Sequence, residues 1–313
     1  MHNRGDDGHS RQGSVVTIGN FDGVHLGHRR LIEIGQAEAR REGGNLVAVT
    51  FDPHPRTVLS QDHTTAFLIT NTEEKRELLM EAGVSVVDVL PFTPEFSQMA
   101  PEVFLHKELG ERLKARAVVV GNNFSFGRGG EGTPRLLRHW GEENGVKVVI
   151  SESVYDASGQ PISSSRIRAA IARGDLLEAE RLMGRPFQVR TVVVSGAGRG
   201  RQMGIPTANL AVAREHVMPP LGVYAGYVRT ASGETSAAVA SWGLRPTFGD
   251  LKEPLLEVHL IDVSRALAGM PIWFAFTQYI RDEVHFNRIE DLVQQMEQDV
   301  AVARTWYQAR SSG

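Results

Sequence analysis

Short apolar runs alternate with longer amphipathic stretches from residue 14 to about 150. Val15-Ile18, Leu46-Phe51, Val84-Leu90, Ala117-Val120 and Val146-Ile150 read as buried strands, and Arg29-Arg41, Thr72-Ala82, Pro101-Lys114 and Pro134-Glu143 as the helices between them. That alternation predicts an α/β domain with a doubly wound, Rossmann-like parallel sheet. After a further helix at Asp175-Met183, Gly184-Arg185-Pro186 breaks the pattern and the period changes. Gln188-Val194, Val223-Arg229, Ser236-Ser241, Leu255-Ile261 and Pro271-Thr277 are strand-like, with Gly and Pro turns between them, and only Glu290-Ala309 is helical again. Strands in succession closed by one helix predict a small antiparallel β-barrel with a terminal helix. The expected division is a tail over 1–13, a first domain over 14–184 and a second over 185–313.

Composition narrows the class. A chain of 313 residues suits two domains, each able to bury a core. The net charge is −3 and the 34 basic residues are spread along the chain, so no nucleic-acid surface is expected and the partners are small molecules. No run approaches 18 apolar residues, which excludes a helical membrane span, and Met1-Gly13 is polar, the composition of a disordered tail without a signal-peptide core. The absence of cysteine excludes disulfides and thiolate metal sites and fits a reducing compartment, hence a cytoplasmic expectation. None of these features encodes an oligomeric state.

The unusual residues fall where strands end. Gly19-Asn20-Phe21-Asp22-Gly23-Val24-His25-Leu26-Gly27-His28 runs from the first strand into the first helix. Such a turn frees backbone N–H groups and aims a helix N-terminus at an anion, which makes Gly19, Asn20, Phe21, Asp22, Gly23 and Gly27 candidate phosphate contacts. If the helix begins near His25, a spacing of three puts His25 and His28 on one face of its first turn. Asp52-Pro53-His54-Pro55 follows the second strand and reads equally as a rigid turn or as a loop presenting His54. Pro91-Phe92-Thr93-Pro94 follows the third. After the fourth, Gly121 to Gly127 offers a carboxamide at Asn123 that can donate and accept, and Phe124 and Phe126 that can stack on a flat ring. In open α/β sheets ligands bind outside the carboxyl ends of the strands, so these four loops are expected to wall one site. Ile162 to Arg168 reads as a serine-capped helix start. Ser164 and Ser165, with Arg168 one turn on, make either a second phosphate cradle or a plain cap.

The second half carries two features of its own. The stretch from Gly196 to Asn209 is rich in glycine (Gly196, Gly198, Gly200, Gly204) and ends in Pro206-Thr207-Ala208-Asn209. Its glycines allow N–H groups to wrap phosphates, and the Thr207 hydroxyl and Asn209 carboxamide are hard oxygen donors of the kind that suit Mg²⁺; the alternative is a flexible β-loop. In Leu255 to Ile261, period-two alternation sets Glu257 and His259 opposite Leu256, Val258 and Leu260. Glu257 is either a general base or a solvated strand carboxylate.

These residues in this order resemble the bacterial bifunctional riboflavin kinase/FMN adenylyltransferase family, whose motifs the chain matches from about residue 14 to 310. Besides the stretches above, the resemblance rests on Gly222-Val223-Tyr224-Ala225, Arg245-Pro246-Thr247-Phe248 and Arg281-Asp282-Glu283 with Phe286. It implies a nucleotidyltransferase fold for the first domain and two Mg²⁺-dependent reactions. Riboflavin and ATP would give FMN and ADP in the barrel, and FMN and ATP would give FAD and pyrophosphate in the first domain. It also implies roles. His25 and His28 would serve adenylyl transfer, while Asn123, Ser164, Ser165 and Arg168 grip nucleotide and phosphates. Thr207 and Asn209 would hold Mg²⁺ and Glu257 would accept the proton of the ribityl hydroxyl. His54, Phe124, Phe126, Tyr224 and Arg281 would lie on the flavin sides. The chain departs from the family's pattern at Pro161, where a basic residue is usual, at Trp242 within Ser241-Trp242-Gly243, and at Ala266 and Ala268, where an acidic and an aromatic residue are usual. The last three lie in the kinase half and point to a flavin pocket of altered shape or specificity. The readings set against a two-activity enzyme are a chain with only the adenylyltransferase working, or a kinase for a modified flavin, and a flavin-nucleotide binder without turnover.

Overall fold

The computed structural model describes residues 13–60, 66–194, 206–246, 252–263, 269–284 and 286–311. By contacts the chain forms two units, one of Met1–Thr65 with Thr70–Ser164, the other of Ala66–Ile69 with Ser165–Gly313.

In the first unit five strands, β1 (Val15–Ile18), β2 (Leu46–Asp52), β3 (Val86–Pro91), β4 (Ala117–Gly121) and β5 (Lys147–Ser151), pair in parallel in the order β3-β2-β1-β4-β5. Side chains alternate across a strand, and both faces of this sheet are buried. Val16, Ile18, Val47, Val49, Val118 and Val120 enter one core with Phe104, Leu109 and Trp140. Val15, Leu46, Ala48, Ala117 and Val119 enter the other with Ile32, Leu78 and Leu79. The covering helices are α1 (Leu26–Glu42), α2 (Pro55–Leu59), α3 (Thr72–Glu81), α4 (Pro94–Ser97), α5 (Pro101–Phe104) and α6 (Pro134–Asn144). Local sequence sets their ends. Asn71 and Glu74 close a capping box on α3, and Gly43 and Gly145 terminate α1 and α6 in the left-handed conformation. The helix expected over Pro101-Lys114 is α5 continued by a wider π-helical stretch, Leu105–Arg112.

Two helices, α7 (Ser164–Ala172) and α8 (Leu176–Met183), precede the barrel strands and, Ser164 apart, group with the second unit. The barrel comprises β6 (Phe187–Val194), β7 (Ala208–Leu210), β8 (Gly222–Thr230), β9 (Thr235–Pro246), β10 (Lys252–Leu260) and β11 (Pro271–Arg281), closed in the order β10-β7-β6-β11-β8-β9 with every pair antiparallel. Phe187, Tyr224, Phe274 and Phe276 fill its interior. The terminal helix α9 (Ile289–Ser311) packs on β8 and β9. Five of these strands were expected; β7, only three residues long, was not. Among the described residues no helix is long and apolar enough to cross a membrane.

Candidate active sites

In the first unit the strand order reverses direction at β1 and β4, the switch point where a crevice opens. Gly19–His28 follows one of these strands and Gly121–Gly127 the other. A cavity of about 450 Å³ lies there, and its walls include Gly19, Asn20, Phe21, Gly27, both histidines, Asn123, Phe124, Phe126 and Ser164.

His25 is the N-cap of α1. Its Nδ1 accepts the His28 N–H at 3.3 Å, so in the neutral ring the proton sits on Nε2. The two imidazoles stack at 3.6 Å between centroids and 16° between planes, and Phe21 meets His28 edge-on at 5.2 Å. Glycine at position 27 has a steric reason, because a Cβ there would stand 3.0 Å from His25 Cε1. Gly121 likewise leaves room for the Asn123 carboxamide, whose oxygen would stand 3.0 Å from an added Cβ.

Aromatic rings run along one wall. Phe92, Phe51 and Phe96 meet within 6.1 Å of one another, Phe96 leads to Phe104 at 6.2 Å and Phe104 to Phe126 at 5.6 Å, and Phe126 stacks on Phe124 at 5.4 Å. Phe51, Phe92, Phe96 and Phe104 also line the cavity, and of these only Phe92 stands in one of the strand-end loops that the sequence marks. Another wall is polar. Asn122 Nδ2 donates to Glu152 Oε2 at 3.2 Å, and Ser153 Oγ donates to Asn122 Oδ1 at 3.0 Å.

The remaining candidates of this unit lie outside the lining. Asp22 is 2 % exposed and its carboxylate accepts from the Thr70 N–H (3.0 Å) and hydroxyl (3.3 Å), while the Gly23 N–H donates to Thr70 Oγ1 (2.9 Å). His54 caps α2, its Nδ1 accepting from Arg56 N–H at 3.1 Å. In the second unit Ser165 is exposed in the first turn of α7, and Arg168 Nε donates to the Phe67 carbonyl at 2.7 Å with its guanidinium over the Phe67 ring. Neither of the last two is among the cavity-lining residues.

The second unit assembles a different group of residues. Across β7, β10 and β9, Asn209, Glu257 and Ser241 are direct partners in register, so their side chains share one face. Leu256 and Val258 point to the opposite face and are buried, as the alternation predicted. Ser241 Oγ donates to Glu283 Oε1 at 3.0 Å, and a Cβ on Gly243 would run into the Glu283 carboxylate. His259 Nδ1 donates to the Pro206 carbonyl at 2.9 Å, which ties the approach to Thr207 onto β10. Neither Ser241 nor Glu283 carries a local sequence signal: the register of β9 on β10 sets Ser241 beside Glu257, and the Ser241 hydroxyl engages Glu283, which follows β11.

Two flavin-side candidates also make contacts within the second unit. Tyr224 is fully buried, its hydroxyl donates to the Pro220 carbonyl, and burial pushes its phenol well up; the exposed tyrosine beside it is Tyr279. Arg281 makes a forked ion pair with the buried Asp299 (2.8 Å) and donates to the Asp282 carbonyl. Gly196, Gly198, Gly200, Gly204, Ala266 and Ala268 lie outside the described residues.

Comparison with known proteins gives two tandem matches to family models, FAD synthetase over residues 7–166 and riboflavin kinase over 183–307. A bifunctional riboflavin kinase/FMN adenylyltransferase of Listeria monocytogenes is 36% identical over 293 residues, covering 94% of this chain and 92% of the relative. Its counterpart from Escherichia coli K12 is 36% identical over 297 residues (95% and 94%), and that of Bacillus subtilis 34% over 288 (91% and 90%). A crystal structure described as a macrolide-efflux protein from Streptococcus pneumoniae superposes with a TM-score of 0.82 at 32% identity, over 96% of each chain.

Proposed function

This chain belongs to the bifunctional riboflavin kinase/FMN adenylyltransferase family, and from that membership we propose how each half does its chemistry. The chain is a riboflavin kinase and an FAD synthetase: it converts riboflavin and ATP to FMN and ADP, and FMN and ATP to FAD and pyrophosphate. The tandem matches favour neither a single-activity chain nor a mere flavin carrier, and flavin chemistry rather than efflux is what the curated relatives share. We assign adenylyl transfer to residues 14–184 and phosphorylation to 185–313, with α7 and most of α8 joining the two matched segments. Both reactions draw on ATP, and we assign them to the cytoplasm.

In adenylyl transfer an FMN phosphate oxygen bonds to the α-phosphorus of ATP as the bond to the pyrophosphate oxygen breaks. A phosphate monoester has its second pKa near about 6, so this nucleophile is already ionised at neutral pH. The site needs donors for charge developing on the triphosphate rather than a base. His25 and His28 are assigned that work, beside the N–H groups of the glycine turn, with Asn123 and Ser164 as nucleotide contacts. The flavin ring is assigned to the aromatic wall, where Phe124, Phe126 and Phe92 supply faces and edges, and ATP to the polar wall. The observation that carries this reading is the stacked histidine pair at the switch point, which lines one cavity together with the aromatic and polar residues named above.

Phosphorylation starts from a neutral hydroxyl and does need a base. Glu257 is assigned to accept the ribityl proton as that oxygen bonds to the γ-phosphorus and ADP leaves. Its cross-strand partnership with Asn209 supports the assignment. The donor set fits Mg²⁺: Thr207 and Asn209 offer neutral hard oxygens next to a carboxylate, and they would hold an ion that offsets phosphate charge when bound. Trp242 lies buried in the barrel wall opposite Gly222, and we assign it to shaping a flavin pocket of altered specificity; an ordinary rate and affinity with plain riboflavin would overturn that assignment.

The test is incubation of the full chain with riboflavin and MgATP, with flavins resolved by chromatography over time. FMN rising first and FAD following is the expected course. Bound but unchanged riboflavin would overturn the reading.

A further inference from the structure

The Gly19–His28 turn has a shape that its own residues do not favour. Phe21 (φ 48°) and Val24 (φ 38°) are both in the left-handed region and both buried, a conformation that persists only where surrounding structure imposes it. Thr70 supplies that surrounding structure from far along the chain. Its N–H and hydroxyl both donate to Asp22 Oδ1, and the same hydroxyl oxygen accepts the Gly23 N–H. Ser164 Oγ donates to the Asp22 carbonyl at 2.9 Å from another direction. Asp22 and Thr70 are 2 % and 3 % exposed, and neither lines the cavity.

We propose that Thr70 and Asp22 form a clamp that holds this turn in its phosphate-receiving shape, with Thr70 a positioning residue of adenylyl transfer that touches no substrate. This rests on the reading that the turn grips ATP. Replacement of Thr70 by valine conserves volume but removes two hydrogen bonds made by one oxygen, one of them to a carboxylate. The remaining Thr70 N–H still holds Asp22, so the expected lesion is a loosened turn rather than a lost fold.

The test uses the full chain and three readouts: FAD formation from FMN and MgATP, FMN affinity by flavin fluorescence, and riboflavin phosphorylation by the same preparation. Thr70→Val should lower kcat/KM for ATP about 10- to 100-fold, the range for a buried hydrogen bond to a charged group. FMN affinity and phosphorylation should stay within about twofold, and Thr70→Ser should recover most of the loss. FAD formation unchanged in Thr70→Val, or Thr70→Ser as damaged as the valine variant, overturns the clamp. If the valine variant fails to fold, seen as lost FMN binding, Thr70→Ala is read by the same criteria; loss of FMN binding in all three variants overturns a positioning role in favour of a purely structural one. His28→Ala separates the two levels. FAD formation surviving that change defeats the reading of the turn, whereas an inactive His28→Ala beside a fully active Thr70→Val defeats only the clamp.

Discussion

Lys75 is an ammonium in an unfavourable place, and its cost should be measurable as a pH dependence. It is 4 % exposed on α3, with Nζ donating to the Phe51 carbonyl at 3.2 Å. Burial pushes its pKa down from 10.5 to about 8, against the partly compensating attraction of Asp22 and Asp52. The folded state therefore binds fewer protons than the unfolded state between those two values, and stability rises with pH across that window. At 1.36 kcal/mol per pKa unit, a shift of this size costs about 3 kcal/mol when the lysine is charged, most of which should be recovered between about pH 7 and about pH 10. Other groups titrate there too, so the quantity of interest is the difference between the parent protein and Lys75→Met, which fills similar space without a charge. Hydrogen exchange of β1 and β2 amides reports the opening free energy of this unit, and barrel amides serve as the internal reference. The parent protein should gain about 2 to 3 kcal/mol on the variant over that pH range. Parallel curves, within about 0.5 kcal/mol, would refute the buried-charge account of Lys75.

Three further outcomes are expected. Phe92→Ala, which removes a ring from the aromatic wall, should raise KM for FMN about tenfold and leave KM for ATP nearly unchanged, the magnitude of one lost stacking contact; steady-state kinetics with each substrate varied in turn checks it. Gly27→Ala would press a methyl against His25 Cε1 and should slow FAD formation about 10- to 100-fold by displacing the imidazole, while FMN still accumulates from riboflavin. Asp299→Ala leaves Arg281 without the buried partner that ties β11 to α9, and should destabilise the barrel by about 3 kcal/mol, read as a lower melting temperature together with reduced FMN formation.

Much of the first unit was legible because its signals are local. Val15-Ile18 and Ala117-Val120 are short, almost wholly apolar and end at a glycine, the pattern of strands in a sheet covered on both faces. His25 could be read as a helix start because the residues on either side of it fix the period. What escaped was set by distance in sequence. The aromatic wall draws Phe51, Phe96 and Phe104 from separate elements, each of which reads alone as an ordinary core residue. Thr70 follows a stretch with no periodic signal, and its importance arises only from meeting Asp22 in space. In the barrel, β7 is too short for any period, yet it carries Asn209 to its place opposite Glu257. Tyr224 and Arg281 show the converse. The resemblance set both on the flavin side, and the fold adds partners within the protein that no local pattern announces, a buried packing site for Tyr224 and the Asp299 carboxylate for Arg281.

The proposed chemistry sets two distinct sites in the two halves, one built on donors for an ionised nucleophile and the other on a base for a neutral one. A paired substitution tests it most directly. His28→Ala and Glu257→Gln are each supplied with riboflavin and MgATP, then with FMN and MgATP, and the flavin products are quantified. His28→Ala should accumulate FMN and make no FAD from either substrate, while Glu257→Gln should make no FMN from riboflavin yet convert supplied FMN to FAD at the parent rate. FAD formed by His28→Ala, or FMN formed at the parent rate by Glu257→Gln, would contradict it.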